Sequence, residues 1–186
     1  MEIDPTSLPR YAPGGPIVLA EHDQAWAVDF DHEADAIRSA LGDLEIAVHH
    51  IGSTSVAGLA AKPVIDILVV VSDLAALDAH GNRLTLLGYE ARGEFGVSGR
   101  RFYQKTMPNG VRTHQIHAYA ASDAAIQAHL DFRDYLRAHP ATADAYARLK
   151  AQLAELCGSD IEAYAVGKTA FVRDVERRAA LWRARG

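Results

Sequence analysis

The sequence is poor in cysteine and has no long apolar run. Cys157 is the single cysteine among the 186 residues, which excludes an intrachain disulfide framework and a thiolate zinc cluster. No apolar run approaches the roughly 18 residues that a membrane span needs. The start of the chain also lacks a basic segment followed by an apolar one. These absences predict a cytoplasmic protein without a membrane partner.

Net positive charge is absent as well. The formal net charge is -5 and the pI is near 6.0, which disfavours nucleic acid as a partner. Hydrophobic residues make up 49% of the chain and charged residues 23%, a balance typical of a soluble globular protein. We therefore expect one domain over residues 1–186.

The order of apolar patterns predicts an α+β fold. The proline-rich first 16 residues indicate a loop or surface arm. A small mixed β-sheet with helices is expected over about 17–121, followed by a C-terminal helical bundle over about 122–186 that packs on the sheet. Strands are predicted at 17–20, 44–51, 64–71, 101–105 and 111–120, and helices at 23–41, 73–87, 123–138, 141–157 and 160–184.

Asp66 stands inside the apolar run Val64–Val71. An ionised carboxylate left unpaired in a dry interior costs at least several kcal/mol, on the order of 3 to 5. Asp66 is therefore expected either to face a cleft or to have a cation as its partner. The alternative is a structural salt bridge.

A turn that can hold phosphate precedes this strand. Gly52, Ser53, Thr54 and Ser55 follow a predicted strand directly. Glycine allows close approach of the backbone, and successive N–H groups and hydroxyls can bind an anion. The alternative is an ordinary turn.

Three blocks of the sequence resemble the GrpB family. They are IGSTSVAGLAAKPVID at 51–66, RTHQIH at 112–117, and Tyr164-x-x-x-Lys168-x-x-Phe171. The family is similar in fold to nucleotidyltransferases of the DNA polymerase β class. That class uses a Gly-Ser turn, an Asp-x-Asp pair and a further acid on a later strand, with two-metal chemistry.

The resemblance implies a role for several positions of this chain. Asp66 matches the first acid of the pair and would be catalytic. Leu68 stands where the second acid is expected, and His117 stands at the later-strand position. Asp66 and His117 would then hold one divalent metal ion, Mg²⁺, Mn²⁺ or a transition metal, or they would simply hydrogen-bond.

Basic side chains are candidates for binding phosphate. Lys168 shares a helix face with Tyr164 and Phe171, so it either extends to water or enters the cleft as a catalytic or phosphate-binding group. Lys62 and Arg112 are further phosphate-binding candidates.

Side-chain alternation along the later strands separates the other polar candidates. His114 and His117 are three residues apart on one predicted strand, so they should face opposite sides, with His117 toward the cleft. Arg100, Arg101 and Lys105 are interpreted as a solvent-exposed face, with contact to an acidic ligand as the alternative.

Three functions remain open at this stage. The first is binding of a nucleotide or phosphorylated small molecule, with metal-dependent nucleotidyl transfer to a small acceptor. The second is a non-catalytic module that binds an anionic ligand or assists a partner protein, since GrpB-like domains also occur fused to a dephospho-coenzyme A kinase. The third is a different enzyme that uses one metal ion held by Asp66 and histidines.

Overall fold

The computed structural model describes residues 12–185, which form a mixed sheet followed by three long helices. The strands are β1 (Ile46–Ile51), β2 (Ile65–Val71), β3 (Tyr89–Ala91), β4 (Arg101–Thr106) and β5 (Arg112–Ala120). The α-helices are α1 (Ala25–Ala40), α2 (Leu74–Leu86), α3 (Ala124–Ala138), α4 (Pro140–Cys157) and α5 (Ile161–Arg183), and a 3₁₀ turn covers Ser53–Ser55.

The sheet has the strand order β1-β2-β5-β4-β3. β2 and β5 run parallel, whereas the other neighbouring pairs are antiparallel. β2 is central, and its residues are apolar on both faces because both faces are covered. Ile65, Ile67 and Val69 pack with α1 and α2, whereas Leu68 packs on the other face with residues of α3.

The three C-terminal helices pack on one another and on the loop that follows β1. Their shared core includes Tyr135, Leu136 and Val175, and it encloses Val56 and Leu59 of that loop. The α+β fold expected from the sequence, with a mixed sheet and a helical part packed on it, is therefore confirmed. No helix in residues 12–185 is long and apolar enough to cross a membrane.

Two strand assignments differ from the sequence prediction. The strand predicted at 17–20 is wrong, because only Ala20 pairs there, in an isolated bridge with Ala61. The pattern named no strand at β3 because its three residues are too few to establish an alternation. Residues 1–11 of the predicted surface arm lie outside the described part of the chain.

The turn after β1 brings the backbone of Gly52 against Asp66. Antiparallel pairing places Ile51 opposite Asp66. Gly52 has φ 70° and ψ -172°, a region that is essentially restricted to glycine. A Cβ atom on Gly52 would overlap the Asp66 carboxylate and lie 3.0 Å from its Cβ. Glycine is therefore required here by both conformation and space.

Replacing Gly52 should destabilise the fold more than replacing another glycine with positive φ. Gly58 has φ +77° and open space where a Cβ atom would lie, so Gly58→Ala serves as the matched control. We expect Gly52→Ala to lower the free energy of unfolding by about 1–3 kcal/mol more than Gly58→Ala. Urea unfolding measures both losses, and equal losses would contradict a close packing of Gly52 on Asp66.

Candidate functional site

A cleft of about 320 Å³ lies between the turn after β1, the sheet and helices α3 to α5. Its polar lining comes from separate parts of the chain: Ser53 in the turn, Asp66 on β2, His117 on β5, and three lysines. The cleft therefore gathers most of the residues that the sequence identified. The helices that line it pack on the loop after β1.

Asp66 and His117 face each other inside this cleft. His117 Nε2 lies 3.5 Å from Asp66 Oδ1, and the Asp66 side chain is 29% exposed. Burial raises the pKa of Asp66, but the hydrogen bond and charge of His117, together with Lys62 and Lys168, bring that pKa below its ordinary value. Asp66 is therefore an ionised carboxylate with nearby cationic partners.

Arg100 determines which nitrogen of His117 carries the proton. An Arg100 guanidinium nitrogen lies 3.4 Å from His117 Nδ1. Because a guanidinium only donates hydrogen bonds, in the neutral form of His117 Nδ1 is the acceptor and Nε2 holds the proton that faces Asp66. Arg100 also donates to the carbonyls of Glu94 and Phe95. It is buried, at 9% exposure, so its interpretation as a solvent-exposed residue is wrong.

Three lysines approach the cleft from three elements. Lys62 comes from the loop before β2, Lys150 from α4 and Lys168 from α5. Lys150 is almost fully buried, at 2% exposure, and its Nζ donates to Ser53 Oγ at 3.0 Å and to the carbonyl of Ala60. All three lysines also lie over aromatic rings. Nζ of Lys168 is 4.4 Å and Nζ of Lys62 is 5.9 Å from the Tyr164 ring centroid, and Nζ of Lys150 is 4.7 Å from that of Tyr146.

The pKa values of these lysines are lowered by burial and by one another. Burial, Lys168 and Lys62 lower the pKa of Lys150 to about 7, against the opposing effect of Asp66. Burial and Lys62 lower the pKa of Lys168 to about 8, again against Asp66. Burial also lowers the pKa of Lys62. The single negative charge of Asp66 does not balance the positive charges of three ammonium groups.

Glu176 is the other carboxylate that lines the cleft. Burial raises the pKa of Glu176, and the charge of Arg173 opposes that rise. Burial thus disfavours its ionised form, and Arg173 favours it. Two carboxylates and three lysines therefore line the cleft.

The hydroxyls of the turn have different partners. Thr54 Oγ1 lies 3.0 Å from His50 Nε2, and Ser55 Oγ donates to the carbonyl of Gly52 at 2.6 Å. These two side chains stabilise the turn itself. Among Ser53, Thr54 and Ser55, Ser53 is the residue whose hydroxyl accepts a hydrogen bond from a lysine of the cleft.

Other candidates lie elsewhere. Arg112 is at the start of β5 and is not among the residues that line the cleft, although its charge lowers the pKa of Lys62. His114 is on the opposite face from His117, as expected, and its Nε2 is 4.0 Å from Glu33. Lys105 donates to both oxygens of Glu33 at 2.9 Å, so its interpretation as a solvent-exposed residue is also wrong.

Sequence reasoning missed Lys150 and His129. The His129 ring lies 5.6 Å from that of His117, and burial lowers the pKa of His129 to about 4. One signal for Lys150 was available: Tyr146-x-x-x-Lys150 on α4 repeats the spacing of Tyr164-x-x-x-Lys168 on α5. A tyrosine and a lysine four residues apart share a helix face.

The donor set does not fit a two-metal site. Leu68, at the position of the second acid, is fully buried against Ile51 and Tyr119. Within residues 12–185, no group of three or more His, Cys, Asp and Glu side chains could hold a metal ion. A metal on His117 Nε2 would also require a proton on Nδ1, facing the donor Arg100. A single divalent ion on Asp66 stays a prediction.

Several known proteins are similar to this chain. The protein YqkA of Bacillus subtilis is 41% identical over 162 residues, which cover 87% of this chain and 47% of YqkA; the chain thus spans about half of that relative. A protein named dephospho-CoA kinase from Mycolicibacterium paratuberculosis is 28% identical, over 90% of this chain and 47% of its own length.

The same relationship is seen in structure and in the family model. The crystal structure of the conserved protein GrpB from Enterococcus faecalis superposes with a TM-score of 0.82 at 42% identity, covering 87% of this chain and 96% of that one. The family model described as GrpB protein matches residues 16–178. The match includes all three sequence blocks, the turn and the lysines of the cleft. This chain belongs to the GrpB family.

Proposed function

We propose that the cleft binds a nucleotide or another small phosphorylated molecule. The observation that carries the proposal is the convergence of Lys62, Lys150 and Lys168 on one cleft, where neighbouring lysines lower the pKa values of Lys150 and Lys168. Like charges held together in a partly buried place destabilise one another unless an anion joins them. A phosphate group would remove this repulsion, so the lysines favour its binding.

The surrounding groups support a phosphate in particular. The turn at Gly52 and Ser53 supplies backbone close to the cleft, and Lys62 and Lys168 supply positive charge. Asp66 raises the pKa values of both lysines and so helps to keep them charged before a ligand binds. In the polymerase β class, metal ions neutralise the phosphates; here the lysines would do much of this.

A second candidate function follows from Leu68. Because this residue is buried and apolar, nucleotidyl transfer of the two-metal kind lacks one of its acids. The domain would then bind its anion without that chemistry and assist a partner protein. The match to about half of a protein named dephospho-CoA kinase is consistent with such a module.

Nucleotide binding should depend on Lys168 but not on an exposed arginine of the same helix. We expect a nucleoside triphosphate at 100 times its dissociation constant to raise the free energy of unfolding by about 2.7 kcal/mol. Lys168→Met should reduce this gain because it removes a charge from the cleft. Arg177→Met, which removes an equal charge from a side chain that is 73% exposed, should keep it.

Thermal unfolding with each nucleoside triphosphate, pyrophosphate and inorganic phosphate provides the measurement. Pyrophosphate alone shifting the transition would show that the phosphates supply most of the affinity. No shift with any of these ligands would contradict the proposal. Equal losses in Lys168→Met and Arg177→Met would assign the binding to general charge rather than to the cleft.

Metal dependence distinguishes nucleotide binding by the lysines from nucleotide binding through a metal ion on Asp66. Since the lysines can neutralise phosphate without a cofactor, we expect most of the stabilisation by nucleotide to persist in EDTA. Titrations with and without Mg²⁺ or Mn²⁺, in the wild type and Asp66→Asn, measure this. Binding that requires the metal and disappears in Asp66→Asn would instead support the single ion on Asp66.

The lowered lysine pKa values also predict how stability changes with pH. The folded-state pKa of Lys150 is about 7, below its ordinary value of 10.5, so the unfolded chain binds more protons between these values. The contribution of Lys150 to the free energy of unfolding of the ligand-free protein should therefore be lowest below about pH 7. It should rise toward pH 10. Lys150→Met should flatten this rise, measured by urea unfolding across the range, and an unchanged slope would contradict it.

A further inference from the structure

We propose that Ser53 is a nucleophile and Lys150 its general base, and that Ser53 attacks a phosphoanhydride of the nucleotide bound in the cleft. This inference rests on the proposed function, because it needs a phosphorylated substrate there. It adds a covalent reaction that does not use the second acid of the polymerase class.

The two side chains have the geometry that an activated nucleophile requires. Lys150 Nζ lies 3.0 Å from Ser53 Oγ, within reach for direct proton transfer. The carbonyl of Ala60 accepts a second hydrogen bond from Nζ, which fixes the direction of the amine. With one N–H on that carbonyl, a neutral amine can turn its lone pair toward the Ser53 hydroxyl.

Tyr146 is the third member of the arrangement. Burial raises the pKa of Tyr146 to about 12, and its hydrogen bond with Ser53 opposes that rise. Its ring also lies beneath Lys150, with Nζ 4.7 Å from the ring centroid. Tyr146 therefore contacts both partners and orients them, as the third residue does in other nucleophile–base pairs.

The protonation of Lys150 makes it suitable as a base near neutral pH. An exposed lysine is almost fully protonated there and cannot accept a proton. Burial and the other cleft lysines lower the pKa of Lys150 to about 7, so an appreciable fraction is neutral. The pKa of Lys168 is higher, about 8, which leaves Lys168 to carry positive charge beside the phosphates.

The neighbouring hydroxyls are engaged differently. The Thr54 hydroxyl is hydrogen-bonded to His50, and the Ser55 hydroxyl donates a hydrogen bond to the Gly52 carbonyl. Of the three hydroxyls of this turn, the Ser53 hydroxyl is thus the one that is hydrogen-bonded to a buried lysine.

The proposed step is a displacement at phosphorus. Ser53 Oγ forms a bond to phosphorus while the bridging phosphoanhydride P–O bond breaks. The bond pair leaves with the departing phosphate oxygen, as pyrophosphate after attack on the α-phosphorus or as nucleoside diphosphate after attack on the γ-phosphorus. Lys150 takes the Ser53 proton. Lys62 and Lys168 offset the negative charge, and the product is a phosphate ester of Ser53.

The experiment is intact mass spectrometry of the full chain after incubation with ATP, GTP, CTP and UTP in turn, with Mg²⁺ present and absent. We expect one adduct on the wild type, and peptide mapping should place it on Ser53. The adduct mass identifies the attacked phosphorus. Ser53→Ala should lose the adduct, and Lys150→Met should slow its formation about a hundredfold or more, the low end for general base catalysis. Ser72→Ala, at an exposed serine beyond the other end of β2, should retain it.

The pH dependence distinguishes a base from a structural lysine. At subsaturating nucleotide, the rate of adduct formation should rise about tenfold per unit below about pH 7 and level off above it. A rate that is flat or falls over this range would overturn the role of Lys150. Unfolding transitions of Ser53→Ala and Lys150→Met show whether each variant is folded.

The outcomes separate this inference from the function on which it rests. Nucleotide that shifts the unfolding transition of the wild type without forming an adduct overturns the inference and leaves binding intact. The absence of both a shift and an adduct overturns both proposals. An adduct on any residue other than Ser53 overturns the assignment of the nucleophile.

Discussion

The site depends on keeping the Asp66 carboxylate ionised near the start of the buried strand β2. Such a charge is costly unless other groups compensate it. The backbone of Gly52 approaches it without a side chain, His117 contacts it, and lysines add positive charge. Arg100 in turn orients His117. Much of the polar structure on this side of the sheet is thus arranged around one carboxylate.

The cleft differs from a two-metal centre in the source of its positive charge. A two-metal centre needs several acids to hold its ions. Here Leu68 makes one such position part of an apolar cluster, and side-chain ammonium groups of Lys62, Lys150 and Lys168 stand nearby. A charge carried by lysine is tied to its protonation, so the anion binding and the reactivity proposed for this cleft should vary near neutral pH.

The sequence predicts the parts of this site that lie close together along the chain. Gly52 can be predicted because a glycine turn follows an apolar strand. Asp66 can be predicted because its carboxylate interrupts an apolar run. The interaction of Ser53 with Lys150 joins residues 97 positions apart, and only tertiary packing brings them together. Apart from its spacing from Tyr146, Lys150 resembles any other helical lysine in sequence, and Arg100 resembles a surface residue of a strand. The burial that defines their chemistry is a property of the packed helices and of the loop before β4.

Lys150 also connects the two halves of the molecule. Its backbone belongs to α4, whereas its Nζ bonds to the turn after β1 and to the segment before β2. A ligand that attracts this ammonium group would weaken its bond to Ala60, and a reaction at Ser53 would replace a hydroxyl partner with an anionic ester. Either event alters the attachment of α4 to the sheet. Occupancy of the cleft would in this way change how the helical half is held against the sheet.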